Sequence, residues 1–265
     1  MGDLKRSFHF FRLVYRIPVL IQPGFVLFAA CLLLGYLFTF PAAAVLRLSG
    51  ALLKGLLLGG LLGLLLALQM ILAGWLSLPT AHAALRFNQR QRPDWKTAAR
   101  LTLRQALPLA LYGLAAPWDA LLAPALPPAH PLRLKARAAA WLPAMMASQQ
   151  LTLSEALEEA ARCAASPLAQ PAERMLAVPR AALIMSLILL LTGCALGAWI
   201  VWSILASTMP DRDLALIFGV MSYSLCSALA LMFSSTLLAV YRACLFDFLS
   251  SPDVTAPALL ARVLP

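Results

Sequence analysis

Apolar residues in this chain fall in long, nearly uncharged runs, and those runs set its elements. Four are long enough to cross a bilayer, which takes roughly 17 to 25 residues: 24–40, 54–78, 181–206 and 214–240. Each is read as a transmembrane helix. A further apolar region, 106–147, is broken by prolines and carries Arg133, Lys135 and Arg137. It fits two short spans or a re-entrant hairpin, the latter needing protein cover for its broken backbone. Either form returns the chain to the side it left. The predicted fold class is all-α: a polytopic helical membrane protein with four transmembrane helices plus two short or re-entrant segments, in a single membrane domain over 1–265.

Other stretches follow a helical period with polar faces. In 3–16, "DLKRSFHFFRLVYR", Lys5, His9, Arg12 and Arg16 share one face, and Leu4, Phe8, Phe11 and Tyr15 repeat the spacing beside it. This predicts an interfacial helix with its aromatics in the headgroup layer and its cations at lipid phosphates. Pro18 and Pro23 are expected to break it and turn the chain into the membrane. Residues 81–105 and 148–180 read as cytoplasmic amphipathic segments. The first carries Arg86, Arg90, Arg92, Lys96, Arg100 and Arg104, with Asp94 placed to cap a helix on which Lys96, Arg100 and Arg104 align. In the second, Thr152 and Glu155 form a capping box, and Glu158 and Glu159 suit the same helix start. The frame of "LTLRQALPLA" at 101–110 returns as "LTLSEALEEA" at 151–160. We read it as one structural task done twice beside a membrane entry, with Pro108 interrupting the first copy. The tail from Tyr241 is expected to be cytoplasmic.

Small residues add a packing signal. Ala51, Gly55, Gly59, Gly63 and Ala67 recur every four positions, and Gly193 and Gly197 repeat the spacing later. Such ladders let another helix approach closely where lipid removes the usual hydrophobic drive. The spacing specifies tight packing without saying whether the partner is internal or from another subunit; a helix of the same chain is the expectation adopted. Hydroxyls in the last span, from Ser222 to Thr236, are expected to bond their own backbone or a neighbouring helix.

Composition agrees with a membrane class: 62% of residues are hydrophobic, 12% are charged, and the mean hydropathy is +0.83. Charges this sparse cannot cover a soluble domain. The excess of 21 Lys and Arg over 11 Asp and Glu carries no nucleic-acid recognition module, so no nucleic-acid partner is expected. Its gathering beside membrane entries orients the chain, with both termini cytoplasmic in a bacterial inner membrane. Five cysteines form no C-x-x-C pair and three histidines lie far apart, so no metal and no cofactor are expected. Ser222 and Ser227 have no histidine in their span, and no catalytic residue is assigned. Asp119, beside Trp118, is the residue a coupled-ion mechanism would use.

The layout resembles a group of uncharacterised bacterial inner-membrane proteins with six hydrophobic segments, related to the membrane domains of some glycerophosphodiester phosphodiesterases. The stretches that carry the resemblance are "LPTAHAALRFNQRQRPDWKTAARLTLRQALPLALYG", "AWLPAMMASQQLTLSEALEEAARC" and "TLLAVYRACLFDF". The proline-broken region after 106 departs from that pattern. The resemblance implies no reaction. The expected function is a non-enzymatic membrane subunit or accessory factor. Its partners would be anionic lipid headgroups, at Lys5, Arg12, Arg16, Arg86, Arg90, Lys96, Arg100 and Arg104, and a protein in the membrane. The alternative is a transport permease or lipid-handling protein with a cytoplasmic coupling helix.

Overall fold

The computed structural model describes residues 12, 14–46, 48, 51–122, 142–149, 155–156, 158–159, 162, 178–205 and 212–250. Over these the chain is all-helical. Seven helices are present among the described residues: α1 (Pro18–Leu46), α2 (Ala51–Asn88), α3 (Trp95–Arg104), α4 (Ala106–Leu122), α5 (Leu142–Gln149), α6 (Val178–Leu205) and α7 (Arg212–Ser250).

Three of the four expected spans are long and apolar enough to cross a membrane: Pro18–Val45, Leu52–Asn88 and Leu214–Asp247. The fourth, α6, is a helix over Val178–Leu205, of which Ile184–Ile200 is the apolar part among the described residues. It runs antiparallel to α7, with Gly193 against Cys226 and Gly197 against Gly219 and Ser222. The other crossings follow from equally specific contacts. Gly24 faces Thr236 and Gly35 faces Ser224, so α1 is antiparallel to α7. Asn88 reaches Cys244 and Gln69 reaches Ser224, so α2 and α7 are parallel. Gly74 meets the Leu109 carbonyl and Gly113 meets the Met70 carbonyl, so α4 returns antiparallel along α2.

Several boundaries differ from the sequence reading. Pro23 and Pro41 lie inside α1, so the helix starts at Pro18 and continues past residue 40. Pro18 stands at the first helical position, where the missing N–H has no partner to lose. Proline inside a membrane helix is tolerated because neighbouring helices restore the freed backbone groups. Likewise α2 passes through Pro79 and ends at Asn88. Residues 81–85, expected at the cytoplasmic surface, are all buried. Its mate is the start of the supposed tail: α7 continues to Ser250, with Tyr241, Ala243, Cys244, Leu245 and Phe246 buried. These two extensions pack with Leu142, Met145 and Met146 of α5 into one core cluster. At about 57 Å for 38 residues, α2 is far longer than a hydrocarbon core of about 30 Å. Its last turns therefore belong to a protein core at one membrane face.

The turn after α2 ends in a backbone cap. The Gln91 amide donates to the Arg86 carbonyl at 2.8 Å and the Arg90 amide to the Phe87 carbonyl at 3.0 Å. Arg90 occupies the left-handed position that glycine usually fills, with φ 56°. Asp94 then caps α3 as expected, accepting from the Lys96 and Thr97 amides at 3.1 and 3.2 Å. Pro108 acts one turn upstream of itself. It lacks an N–H and its ring displaces the carbonyl four residues back, so the helix breaks at Gln105, between α3 and α4. Among the described residues, α4 starts at the α3 end of the bundle and α5 packs at that same end. Residues 123–141 lie outside the described residues.

Candidate functional site

Three features of the bundle are chemically distinct, and the polar one is most deeply set. Gln69 interrupts the leucine run of α2 and is fully buried. Its amide nitrogen donates to Ser224 Oγ at 3.1 Å and to the Cys31 carbonyl at 3.4 Å. Ser227 Oγ donates to Gln69 Oε1 at 2.7 Å, and Ser224 Oγ donates to the Cys31 carbonyl at 3.0 Å. One amide thus ties α1, α2 and α7 at mid-bundle. Leaving such groups unpaired in an apolar interior costs several kcal/mol, so the network fixes the mutual rotation of the three helices. It is an internal clasp between three helices. Ser234 and Ser235 bond back to Ala230 and Leu231 of their own helix, as expected.

At the α3 end, further polar side chains enter the core. His82 is buried, bonds the Ala147 backbone and leaves Nε2 without a hydrogen-bond partner among the described residues. Asn88 donates to Cys244 Sγ at 3.6 Å and lies beside Asp247. Arg242 donates to Tyr112 Oη at 2.9 Å, and Trp75 Nε1 to the Ala106 carbonyl at 2.7 Å. These bonds join α2, α4, α5 and α7 at the entry of the chain. Tyr15 also belongs to the protein interior. Its hydroxyl donates to the Phe233 carbonyl and its ring stands edge-on to Phe233. Burial pushes its phenol above the usual range. Tyr15 of the expected interfacial helix therefore packs on α7, and Val14 beside it is fully buried. The rest of 3–11, including Lys5, lies outside the described residues.

The second feature is a basic surface. Arg12, Arg16, Arg90, Lys96, Arg100 and Arg104 are exposed and Arg86 is half-buried. On α3 the three cations lie away from Ala98 and Leu101, which are buried against the bundle. Thr97 and the backbone amides hold Asp94 below the usual carboxylate range. In the acidic segment Glu159 pairs with Arg162 at 2.6 Å. Thr152 of the expected capping box lies outside the described residues, while Glu155 is helical and exposed; the side chain of Asp119 also lies outside them.

The third feature is the distribution of glycines. A Cβ at Gly24, Gly35, Gly74, Gly113, Gly193 or Gly197 would run into a neighbouring helix. At Gly55, Gly59, Gly60 and Gly63 it would meet nothing within 4 Å. The expected same-chain partner for the long ladder is therefore absent among the described residues. Gly55, Gly59 and Gly63 are exposed, and Ala67 is half-buried. The Gly193/Gly197 pair packs as expected. The reason is rotational: Leu58, Leu65 and Gln69 turn toward α1 and α7, which points the ladder sideways. Beside it, an apolar cavity of about 290 Å³ opens between α1, α2, α6 and α7, lined by Phe38, Leu58, Leu62, Gly197, Val220 and Tyr223 among others.

Sequence reasoning missed Gln69, although a lone amide in an apolar run was a legible signal. It also missed the Gly74–Gly113 crossing, whose partners are isolated glycines with no repeat. Among the described residues no group of three His, Cys, Asp or Glu side chains is placed to hold a metal. Compared with protein-family models, curated proteins and solved structures, the chain matches none.

Proposed function

We propose that this protein is a non-enzymatic integral subunit or accessory factor of a bacterial inner membrane, with α2 docking a transmembrane helix of another protein. One observation carries the reading: Gly55, Gly59, Gly60 and Gly63 in the first half of α2 lie on an open face, while the other glycines named above, Gly74 of α2 included, sit where helices meet inside the chain. Glycine in an exposed helix interior costs about 1 kcal/mol relative to alanine. Four on one half-helix are a burden for the chain alone and an advantage for close approach of a second helix. Both termini are assigned to the cytoplasm. The support is the gathering of Arg12, Arg16, Arg86, Arg90, Arg92, Lys96, Arg100 and Arg104 at one end, against Lys54 and Arg212 at the other. The resemblance to inner-membrane proteins fits this reading and adds no reaction.

The apolar cavity between α1, α2, α6 and α7 favours a second reading, a lipid-handling protein that holds an acyl chain. Site-specific photocrosslinking in native membranes separates the two. A photoreactive group replacing Leu56, exposed near the glycine face, is expected to give a discrete protein adduct that Gly59→Leu abolishes. The same group replacing exposed Leu191 on α6 is expected to give none. Lipid adducts alone from both positions would overturn the subunit reading and favour the second.

A further inference from the structure

The outer surface of α3 holds two exposed stripes side by side. Trp95, Ala99, Leu103, Leu107 and Leu111 recur every four residues across the α3–α4 bend, and all are exposed. Leu103 and Leu107 show 79% and 72% of their surface. Lys96, Arg100 and Arg104 form the adjoining stripe, also exposed. The opposite face, Ala98 and Leu101, is docked on the bundle. Because Leu109, Tyr112 and Gly113 are the buried side of α4, its Leu107 and Leu111 point away from α2, toward lipid. The α3 stripe therefore continues a lipid-facing surface outward to the membrane boundary. There the tryptophan and the leucines can rest among acyl chains while cations one step around the helix reach phosphate height.

Charge fixes the chemistry of the occupant. Between residues 86 and 104 the chain holds Arg86, Arg90, Arg92, Lys96, Arg100 and Arg104 against one carboxylate, Asp94. That carboxylate is committed to the Lys96 and Thr97 amides and the Thr97 hydroxyl. Nothing acidic on the segment is left to neutralise the stripe. We infer that α3 and the turn before it form a binding platform for anionic phospholipid, taking headgroup phosphates on Lys96, Arg100 and Arg104 and acyl chains along Trp95, Leu103 and Leu107. The platform is independent of the glycine face of α2. An acidic protein segment would satisfy the cations but leave the apolar stripe in water, so the paired stripes favour lipid.

The test is native mass spectrometry of the full chain released from nanodiscs of mixed phosphatidylglycerol and phosphatidylcholine. The unmodified protein is expected to retain phosphatidylglycerol preferentially, and less so as salt is raised across the range where the Debye length shrinks from about 10 to 3 Å. At roughly 1 kcal/mol for each cation near an anionic surface, every charge removed should reduce the preference about fivefold. Lys96→Gln, Arg100→Gln and Arg104→Gln are expected to lower it singly and abolish it together, while Lys54→Gln at the other end leaves it unchanged. Should the triple variant not fold, Arg100→Lys against Arg100→Gln makes the same comparison: the first keeps the preference and the second reduces it. Equal retention of the two lipids by the unmodified chain, or an unchanged preference in the Gln variants, overturns the proposal. So does tight binding of an acidic peptide in phosphatidylcholine nanodiscs with no phosphatidylglycerol preference.

Discussion

Single polar residues do most of the specifying in this bundle because lipid leaves them no alternative partner. Gln69 is the clearest case: one amide bonds Ser224, Ser227 and the Cys31 carbonyl at once. Gln69→Leu keeps the volume and removes these bonds, while Ser224 and Ser227 retain backbone acceptors. Interhelical hydrogen bonds in membranes contribute about 0.6 kcal/mol each, so a loss of about 1 to 2 kcal/mol is expected, read as a lower Tm in detergent. At the surface, Asp94 links α3 to pH. Its carboxyl is held below the usual range by Thr97, so the cap is fully present above the ordinary aspartate pKa and is lost as pH falls through the depressed value. Hydrogen exchange at the Lys96 and Thr97 amides should speed up only at that low pH. Asp94→Ala should make it fast at neutral pH as well.

At the scale of elements, close approach depends on where a helix lacks a side chain. The α2–α4 crossing brings Gly74 against the Leu109 carbonyl and Gly113 against the Met70 carbonyl. Both obstacles are backbone, so neither can swing aside. Gly113→Ala is expected to force the helices apart at a cost of about 1 to 3 kcal/mol, measured by thermal unfolding and by protease access near the α4 entry. Pro108 sets the other geometry of this region. By breaking the helix at Gln105 it lets α3 lie on the bundle surface while α4 runs along α2, with Trp75 bonded to Ala106 at the hinge.

Across the whole molecule, the two ends of the bundle differ in kind. The α3 end has a full protein core, built from the last turns of α2 and α7 with α5. At the other end α2 stands partly clear of its neighbours and exposes Leu52, Leu53 and Leu56 beside its glycines. Interior and outward glycines should therefore answer differently to the same change. In the purified chain, Gly59→Leu is expected to leave stability unchanged or raise it by up to about 1 kcal/mol, in contrast to Gly113→Ala. A large loss from Gly59→Leu in the isolated chain would mean that the face is packed internally, and the subunit reading would fall.

The sequence by itself determined the class and the local signals. Uncharged runs of bilayer length have one solvent in which they are stable, and the Asp94 cap and the Pro108 break each depend on a few neighbouring residues. Tertiary structure decided how far the helices extend and which way they face. Residues 81–85 and 241–246 are short alanine-containing stretches at the ends of apolar runs, and beside Arg86, Arg242 and Asp247 they read as the start of the surface. They become core only because α2 and α7 run parallel and bring them together with α5. The ladder at Gly55, Gly59 and Gly63 shows the same limit from the opposite side. Its spacing states that a helix can approach, but the rotation of α2 is set by distant bonds from Gln69 to α1 and α7. That rotation turns the ladder away from the chain's own helices.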